Sequence, residues 1–270
     1  MPVSPLMNVM MSAARKAGRS LVRDFGEVEN LQVSVKGPAN FVSAADHRAE
    51  DIVFQELSKA RPGYGFLMEE RGEVTGADSS HRWIVDPLDG TTNFLHAIPL
   101  FAVSIGLERE GQLVAGLVYN PVMDEMFMAE KGKGAFMADR TGRDRRLRVA
   151  ARKSLEDCVV TAGIPHRGRP NHERYFKEAR HMMQTVAGIR RTGSSCLDLA
   201  WVAAGRFDAY WEHALDRWDI AAGTVIESEN SVYVRDLTGG NDMLVTGEVC
   251  AGNMAIQRQI VEQLRIAREA

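Results

Sequence analysis

Residues 83–94 read Trp83-Ile-Val-Asp86-Pro-Leu-Asp89-Gly-Thr-Thr-Asn-Phe94. The mostly apolar, β-branched residues 82–85 predict a short buried strand. Pro87 has no backbone N–H and cannot continue strand pairing, so the strand is predicted to end at Asp86-Pro87. Gly90 then lets the backbone approach a neighbouring group closely.

Two acids, Asp86 and Asp89, stand three residues apart in the turn predicted here. Thr91 and Thr92 follow with hydroxyls and amides where a new helix begins, which suits an anion. Acids and free amides at one strand end are explained if a divalent metal lies between the acids and a phosphate. The simpler alternative is a strand, a turn and a helix cap, because acids are common in turns.

The composition describes an ordinary globular protein. The chain has 270 residues, of which 45% are hydrophobic and 26% charged, with a formal net charge of −3. That balance gives no reason to expect bulk attraction to nucleic acid or membrane. Three widely spaced cysteines fit neither a disulfide framework nor a metal cluster and predict a reducing cytoplasm. No apolar run approaches the length of a membrane span, and the Met-rich N-terminus, interrupted by basic residues, is interpreted as a helix rather than a signal peptide.

Strand and helix patterns alternate along the chain. Ser4 and Pro5 predict a helix start, as N-cap and first helical residue. The other predicted helices cover about residues 45–60, 171–186, 194–204 and 255–267, with one more opening at 218–219, and the predicted strands cover 31–36, 65–68, 82–85, 158–161, 189–191, 207–212 and 232–235. A hairpin is expected to pair residues 101–107 with 113–119. The pattern predicts a layered α/β fold with an antiparallel portion.

Four carboxylates occur where predicted strands end or helices begin. They are Glu69, Asp86, Asp89 and Asp219. Each alone has a structural explanation, since an acid at a helix start complements the helix dipole. Together they form an oxygen-ligand set of the kind that Mg²⁺ prefers. The seven histidines are scattered and predict no zinc site, and His96 is expected at the surface or behind the ligands.

These motifs resemble the inositol monophosphatase family of lithium-sensitive, Mg²⁺-dependent phosphatases. The run from Asp86 to Phe94 is similar to its first signature, residues 218–223 to its second, and Glu69-Glu70 to its Glu-Glu element. Residues 190–194 and 197–199 resemble the bacterial extragenic-suppressor (SuhB-like) branch. The resemblance implies a layered α-β-α-β-α sandwich of the inositol monophosphatase/fructose-1,6-bisphosphatase type. It implies one domain over residues 1–270, with lobes of about 1–140 and 141–270.

The resemblance also implies roles for individual residues. Two or three Mg²⁺ ions per subunit would be bound by Glu69, Asp86, the Leu88 carbonyl, Asp89 and Asp219. Catalysis would involve Glu69 and a proton relay between Asp46 and Thr91. Substrate contacts are implied for Gly90, Thr91, Ser194, Ser195, Glu212 and Asp219, with Lys36 and Glu70 behind them.

The implied activity is hydrolysis of inositol monophosphate or a related small sugar or polyol phosphate by a metal-activated water. Histidinol phosphate, fructose bisphosphate and nucleotide 3′-phosphate remain alternative substrates. A fructose bisphosphatase would need a basic pocket for the second phosphate, which the sequence does not locate. A different alternative is a binding factor for RNA polymerase or ribosomal RNA processing. The basic residues 140–148 would then be a surface to test, although a solvated hairpin is the simpler interpretation.

The resemblance further implies a homodimer, for which Trp201, Trp211 and Trp218 offer aromatic surface unless they are core residues. The chain departs from the family pattern in two places. Asn40 stands where an acid is usual, and Glu229-Asn230-Ser231-Val232 replaces Glu-Ala-Gly-Gly. Because the glycines that ease a left-handed helix exit are missing, Asn230 is expected to adopt that conformation.

Overall fold

The computed structural model describes residues 3–27, 33–37, 40–141 and 143–269, with side chains outside 33–42. Helices α1 (Pro5–Phe25) and α2 (Ala44–Ala60) pack together as an outer layer. The predicted start of α1 is confirmed, because the Ser4 side chain accepts a hydrogen bond from the Met7 amide and Pro5 opens the helix. A short antiparallel pair, β1 (Val33–Gly37) and β2 (Asn40–Ser43), connects the two helices.

The first large sheet lies under this helical layer. Its strands are β3 (Tyr64–Met68), β4 (Gly72–Val74), β5 (Asp78–Asp89), β6 (Ala102–Arg109), β7 (Gln112–Asn120), β8 (Glu125–Glu130), β9 (Gly134–Ala138) and β10 (Asp144–Arg146), with the one-turn helix α3 (Thr91–Leu95) between β5 and β6. They pair in the order β10-β9-β8-β7-β6-β5-β3-β4. The predicted hairpin is β6–β7, and all neighbours are antiparallel except β3 and β5.

The second sheet follows in sequence and lies on the far side of two buried helices. Its elements are β11 (Val159–Ala162), α4 (His172–Met182), β12 (Gly188–Arg190), α5 (Ser195–Ala203), β13 (Ala209–Glu212), α6 (Arg217–Ser228), β14 (Tyr233–Arg235), α7 (Met243–Thr246), β15 (Val249–Gly252) and α8 (Met254–Glu269). The strand order is β12-β11-β13-β15-β14. Helices α5 and α6 contact both sheets, whereas α4 and α8 pack together on the outer side of the second sheet.

The stacking is therefore α-β-α-β-α, as predicted: α1 and α2, first sheet, α5 and α6, second sheet, α4 and α8. Three hydrophobic clusters fill the spaces between these layers. The two-lobe division near residue 140 stays a prediction, and β10 extends the first sheet to Arg146. No helix in the described part of the chain combines the length and apolar character needed to cross a lipid bilayer.

Two predictions about strands were wrong. Strand β5 does not end at Asp86-Pro87 but runs to Asp89, with a shift of register between Asp86 and Asp89. The shift fits an extra residue in this stretch and lets the strand pass Pro87, which has no N–H. Strand β15 was missed, although it is buried and pairs with both β13 and β14.

Three smaller expectations also changed. The helix expected over about residues 171–186 is α4, which ends at Met182, and Asn171 before it has a left-handed backbone and no side-chain capping bond. After α6 the left-handed residue is Ser231, with φ of 59°, and not Asn230, whose side chain donates to the Ala203 carbonyl. Trp201 and Trp211 are buried, so neither offers an interface surface, and Trp218 is half-buried.

Candidate active site

The end of β5 presents two acids on one edge of the first sheet. Asp86 pairs with Ser104 and Asp89 with Ala102, so three residues of β5 span two of β6. Within this bulge the Leu88 amide donates to Asp86 Oδ1 at 2.9 Å. Gly90 follows with φ of 94°, and a Cβ there would lie 2.9 Å from the Leu100 carbonyl oxygen. The bulge therefore directs both acids to the same side, and only glycine fits the turn that starts α3.

Helix α6 brings a third acid to this edge because it lies unusually close to the sheet. Gly106 and Gly116 are paired on β6 and β7 and leave a smooth patch beneath the helix. A Cβ on Gly116 would lie 2.3 Å from the Ala222 carbonyl oxygen. Ser104 also donates to the Trp218 carbonyl at 3.3 Å. The first turn of α6 is thus held against the sheet, which sets the position of Asp219.

Asp86, Asp89 and Asp219 converge at this point. Each offers a carboxylate oxygen, and these oxygens all lie within 4.8 Å of one another. Asp219 Oδ2 accepts from the Asp216 amide at 2.7 Å, which fixes its orientation at the third position of α6. Three acids from two distant segments therefore form one compact group of oxygen donors.

The electrostatics of this group favour a bound cation. Burial raises the pKa of Asp86 well above its ordinary value, and the charges of Glu69, Asp89 and Asp219 raise it further. Burial likewise raises the pKa of Asp89 and of Asp219. Within the described residues, no lysine, arginine or histidine forms an ion pair with any of the three aspartates. Oxygen-only donors that form no ion pair within the described residues fit a hard dication such as Mg²⁺.

The N-cap and first residues of α5 support Asp89. Ser194 Oγ donates to Asp89 Oδ2 at 2.7 Å, and the Cys196 amide donates to the same oxygen at 2.7 Å. Ser195 Oγ lies 3.4 Å from the other carboxylate oxygen. Ser194 and Ser195, predicted to contact substrate, also line the pocket, and their observed bonds are to this acid.

Asp46 and Thr91 are in direct contact. Thr91 Oγ1 is 3.0 Å from Asp46 Oδ1 and 3.1 Å from the Leu88 carbonyl oxygen. Asp46 is fully buried, and its other oxygen accepts from the Ser43 amide at 2.8 Å and the Ser43 hydroxyl at 2.6 Å. Burial raises the pKa of Asp46, and the Ser43 bonds partly offset that effect. The pair is therefore oriented from both sides.

Glu69 and Glu70 follow β3. Glu69 lines the pocket, and its amide donates to the Val85 carbonyl at 3.2 Å, which ties it to the strand that carries Asp86. The Glu70 amide donates to Glu50 Oε2 at 2.9 Å. Lys36 lies in β1 and Asn40 in β2, and their side chains fall outside the described residues.

Glu212 ends β13 on the opposite wall of the pocket. Its carboxylate accepts from the Tyr210 hydroxyl at 2.5 Å, and a Cβ on Gly163 would lie 1.7 Å from its carboxyl carbon. Burial raises the pKa of Glu212 to about 7, Asp89 adds to the rise, and Arg191 and Arg169 oppose it. Glu212 is thus a half-buried acid that can exist in either protonation state near neutrality.

The pocket between these groups has a volume of about 160 Å³. Its lining includes residues that sequence reasoning missed, namely Gly163, His166, Arg169, Arg191 and Asp198. Asp198 is buried in α5 and accepts from Thr161 Oγ1 at 2.8 Å, so it connects α5 with the second sheet. The Gly-x-Pro-His segment at residues 163–166 follows a strand and could have indicated a loop that carries His166. The position of this loop near Asp89 depends on the tertiary fold and could not be predicted from the segment alone.

The comparisons with known proteins agree with this geometry. The sequence profile described as "Inositol monophosphatase family" matches residues 3–269, and the chain belongs to that family. It is 62% identical over 262 residues to a Mesorhizobium japonicum protein named inositol-1-monophosphatase, covering 97% of both chains. It is 40% identical over 255 residues to the Pseudomonas aeruginosa Nus factor SuhB, covering 93% of this chain and 92% of the relative.

A solved structure gives the same result for the fold. The crystal structure of the extragenic suppressor protein suhB from Bartonella henselae superposes with a TM-score of 0.93 at 57% identity, covering 97% of this chain and 98% of that one. The chain is therefore an enzyme of the inositol monophosphatase family, with the mixed α/β fold of that family.

Proposed function

We propose that this chain is a Mg²⁺-dependent phosphomonoesterase that hydrolyses inositol monophosphate or a related small polyol phosphate. The observation that carries the proposal is the group of three aspartates, two buried and one half-buried, which face a pocket and form no ion pair within the described residues. Asp86, Asp89 and Asp219, with Glu69 and the Leu88 carbonyl, are the proposed metal ligands, for two or three ions. Bound dications would acidify a water and offset the negative charge of the phosphate.

The residues around the metal site supply orientation and a proton acceptor. Thr91 donates its hydroxyl proton to Asp46, so the lone pairs of Thr91 Oγ1 are free to accept from a water in the pocket. In this relay Thr91 accepts a proton from the water and passes its own hydroxyl proton to Asp46, whose carboxylate stabilises it. The first turn of α3 leaves backbone amides without an intrahelical partner, and the amides of Gly90 and Thr91 are the proposed phosphate donors.

Glu212 is the proposed selector for the alcohol portion, because its carboxylate lies across the pocket from Asp89 and accepts hydrogen bonds. A charged hydrogen bond is worth about 1.5–3 kcal/mol, which corresponds to roughly a tenfold to hundredfold effect. Glu212→Gln is expected to lower kcat/KM for inositol 1-phosphate by that factor and to spare an aryl phosphate. Equal losses on both substrates would show that Glu212 supports the site in general.

Phosphate release across a panel of phosphomonoesters tests the function itself. Inositol 1-phosphate is expected to be turned over faster than histidinol phosphate, fructose bisphosphate or nucleotide 3′-phosphate, with activity lost when Mg²⁺ is chelated. Absence of turnover on every member of the panel would refute the proposed activity.

A second candidate function is association with RNA polymerase or ribosomal RNA processing, favoured by the relatives named Nus factor SuhB. In the exposed strand β10, Asp144–Arg146, the two arginines are candidates for a contact surface. Retention of RNA polymerase by the immobilised chain, and its loss in Arg145→Ser/Arg146→Ser, tests this role. A homodimer and a cytoplasmic location are further expectations, and light scattering giving a monomer mass at micromolar concentration would count against the dimer.

A further inference from the structure

A group of buried charges lies on the outer side of the second sheet, away from the acidic pocket. Glu178 on α4 is fully buried and accepts from His213 Nε2 at 2.6 Å, Arg268 Nε at 2.7 Å and Arg174 Nε at 3.1 Å. The other ring nitrogen of His213 lies 3.6 Å from a Glu248 oxygen. These five residues are termed the outer cluster.

The outer cluster joins four parts of the fold. Glu178 and Arg174 belong to α4, Arg268 to α8, and Glu248 directly precedes β15. His213 directly follows Glu212 at the end of β13 and is 9% exposed. None of the steps proposed above uses the outer cluster, yet one of its members is the immediate neighbour of the proposed substrate selector.

Strand geometry connects His213 to the orientation of Glu212. Successive side chains of a strand point to opposite faces. Tyr210 packs between the sheets, whereas Trp211 packs in the outer hydrophobic cluster with α4 and α8. Glu212 and His213 continue this alternation, one toward the pocket and one toward Glu178. The next residue, Ala214, has a left-handed φ of 58°, so the strand must end at this point.

We propose that the Glu178–His213 ion pair positions Glu212 to accept hydrogen bonds from the hydroxyl groups of the substrate. The proposal rests on the proposed function and deepens it, because it identifies what sets the direction of the selecting carboxylate. Both residues are positioning residues, since neither lines the pocket that Asp86 and Asp89 share. Loss of the pair raises KM for a polyol phosphate and leaves the turnover of a substrate without hydroxyl groups unchanged.

The pair also depends on pH. The protonated His213 ring donates from Nε2 to Glu178 and presents its second N–H toward Glu248, 3.6 Å away, whereas a neutral ring has only one N–H. Burial alone would lower the pKa of His213, but the hydrogen bond to Glu178 and the nearby Glu248 carboxylate raise it above its ordinary value. Arg174 and Arg268 are the opposing charges on α4 and α8. The support of Glu212 is therefore complete at low pH and weakens as pH rises through the pKa of His213.

Three variants test the proposal at saturating Mg²⁺, with kcat and KM measured for inositol 1-phosphate and p-nitrophenyl phosphate. His213→Leu removes the pair, and His213→Gln keeps a donor toward Glu178. His181→Leu is the matched control, because His181 is also an α4-side histidine, but its ring bonds Gln263 on α8 at 2.7 Å and not Glu178. His213→Leu is expected to raise KM for inositol 1-phosphate about tenfold. His213→Gln is expected to fall between His213→Leu and wild type, because it keeps a donor but not the charge, and His181→Leu is expected to be unchanged.

Equal losses on both substrates in His213→Leu, or an equal rise in KM in His181→Leu, would overturn the proposal. A wild-type chain without phosphatase activity would instead refute the proposed function. Glu248→Gln is the second test if His213→Leu does not fold. Glu248 is half-exposed and lies at the edge of the outer cluster, so this variant is expected to fold. It is expected to move the pH-dependent rise in KM for inositol 1-phosphate to lower pH, and an unchanged pH profile would contradict the proposal.

Discussion

The acidic pocket and the outer cluster both contain buried carboxylates, but the pKa values of these carboxylates shift in opposite directions. In the pocket, burial and neighbouring acids raise the pKa of Asp86 and Asp219. In the outer cluster, burial alone would raise the pKa of Glu178, but the bonds from His213 and Arg268 lower it below the ordinary value. His213, whose Nδ1 lies 3.6 Å away, and the hydrogen bond from Arg174 lower the pKa of Glu248 to about 2.

The presence or absence of a cationic partner distinguishes the acids of the outer cluster, which stabilise the fold, from the acids of the pocket, for which a function is proposed. A buried charge is stable only with a partner. The outer cluster contains its cations, so its acids stabilise the contact between α4, α8 and the second sheet. The described part of the chain offers the pocket aspartates hydrogen bonds but no ion pair, and the proposed function assigns their counter-charge to cations from solution. The arrangement is less stable alone and is suited to holding dications.

The largest expected effect is on the pocket side of this comparison. Asp89→Asn removes one charge from the proposed metal-binding group while leaving the side-chain shape. Because the proposed ligands act as a unit, kcat is expected to fall at least about a thousandfold, with the circular dichroism spectrum unchanged. Wild-type turnover at saturating Mg²⁺ would refute the metal assignment.

The next largest effect is on the stability of the outer cluster. Glu178→Ala leaves His213, Arg174 and Arg268 without their shared acceptor, and breaking a buried pair in this way costs about 3–5 kcal/mol. Urea unfolding measures the loss, and Glu262→Ala is the control, because that exposed acid pairs only with neighbours on α8. A loss below about 1 kcal/mol for Glu178→Ala would show that the outer cluster is not a stabilising unit.

The contribution of the outer cluster also has a defined pH window. Glu178 and Glu248 have lowered pKa values in the fold, so their contribution is present above their ordinary value of 4.5 and is lost as pH falls below it, for Glu248 through a pKa of about 2. His213 has a raised pKa, so its contribution is complete below its ordinary value of 6.5 and is lost as pH rises further. The stability difference between wild type and Glu178→Ala is therefore expected to be greatest between those two pH values.

A smaller effect is expected at Glu227, a third kind of buried acid. This α6 side chain is fully buried, neither oxygen has a hydrogen-bond partner among the described residues, and burial raises its pKa well above the ordinary value of 4.5. Glu227→Met is expected to stabilise the chain by about 1–3 kcal/mol at pH 5. The gain should grow with pH because only the unfolded state ionises freely.

Glu229→Met is the matched control for this test. Glu229 lies two residues further on and accepts from the Gly132 and Gly134 amides at 2.8 Å each, so its replacement should destabilise the chain. Urea unfolding between pH 5 and 8 measures both variants. A destabilised Glu227→Met, or a gain that does not change with pH, would contradict the interpretation of Glu227 as a neutral buried acid.

Local chemistry explains why much of the fold was predictable from the sequence. Ser4 and Pro5 define the start of α1 within one turn. The segment from Asp86 to Thr91 contains two acids, a turn and the start of α3, so all three could be predicted from one short stretch. Strand β15 was missed because four apolar residues between a turn and a helix carry little periodic signal. The end of β5 was misplaced because a bulge lets a strand pass a proline, and pairing partners are not visible in one segment.

The site residues that belong to sequence motifs were predictable, whereas the distances between them, which depend on tertiary packing, were not. Asp219 was expected at a helix start, yet its distance from Asp86 depends on Gly106 and Gly116 beneath α6, more than a hundred residues earlier. Glu178 and His213 are separated by 35 residues, and nothing local indicates that they meet. The roles of Glu69, Asp46, Thr91 and Glu212 stay predictions until they are measured.

The central claim is that the pocket aspartates require a cation from solution, and thermal unfolding with and without Mg²⁺ tests it most directly. Mg²⁺ at a hundred times its Kd is expected to raise the free energy of unfolding of the wild type by about 2.7 kcal/mol. The wild-type Tm should then rise by roughly 5–10 °C. Asp86→Asn should be more stable than wild type without Mg²⁺ and gain little from it. Asp208→Asn, a buried acid already paired with Arg152 at 2.9 Å, should lose stability but keep the Mg²⁺ shift. A wild-type Tm that does not respond to Mg²⁺, or a full response in Asp86→Asn, would contradict the account.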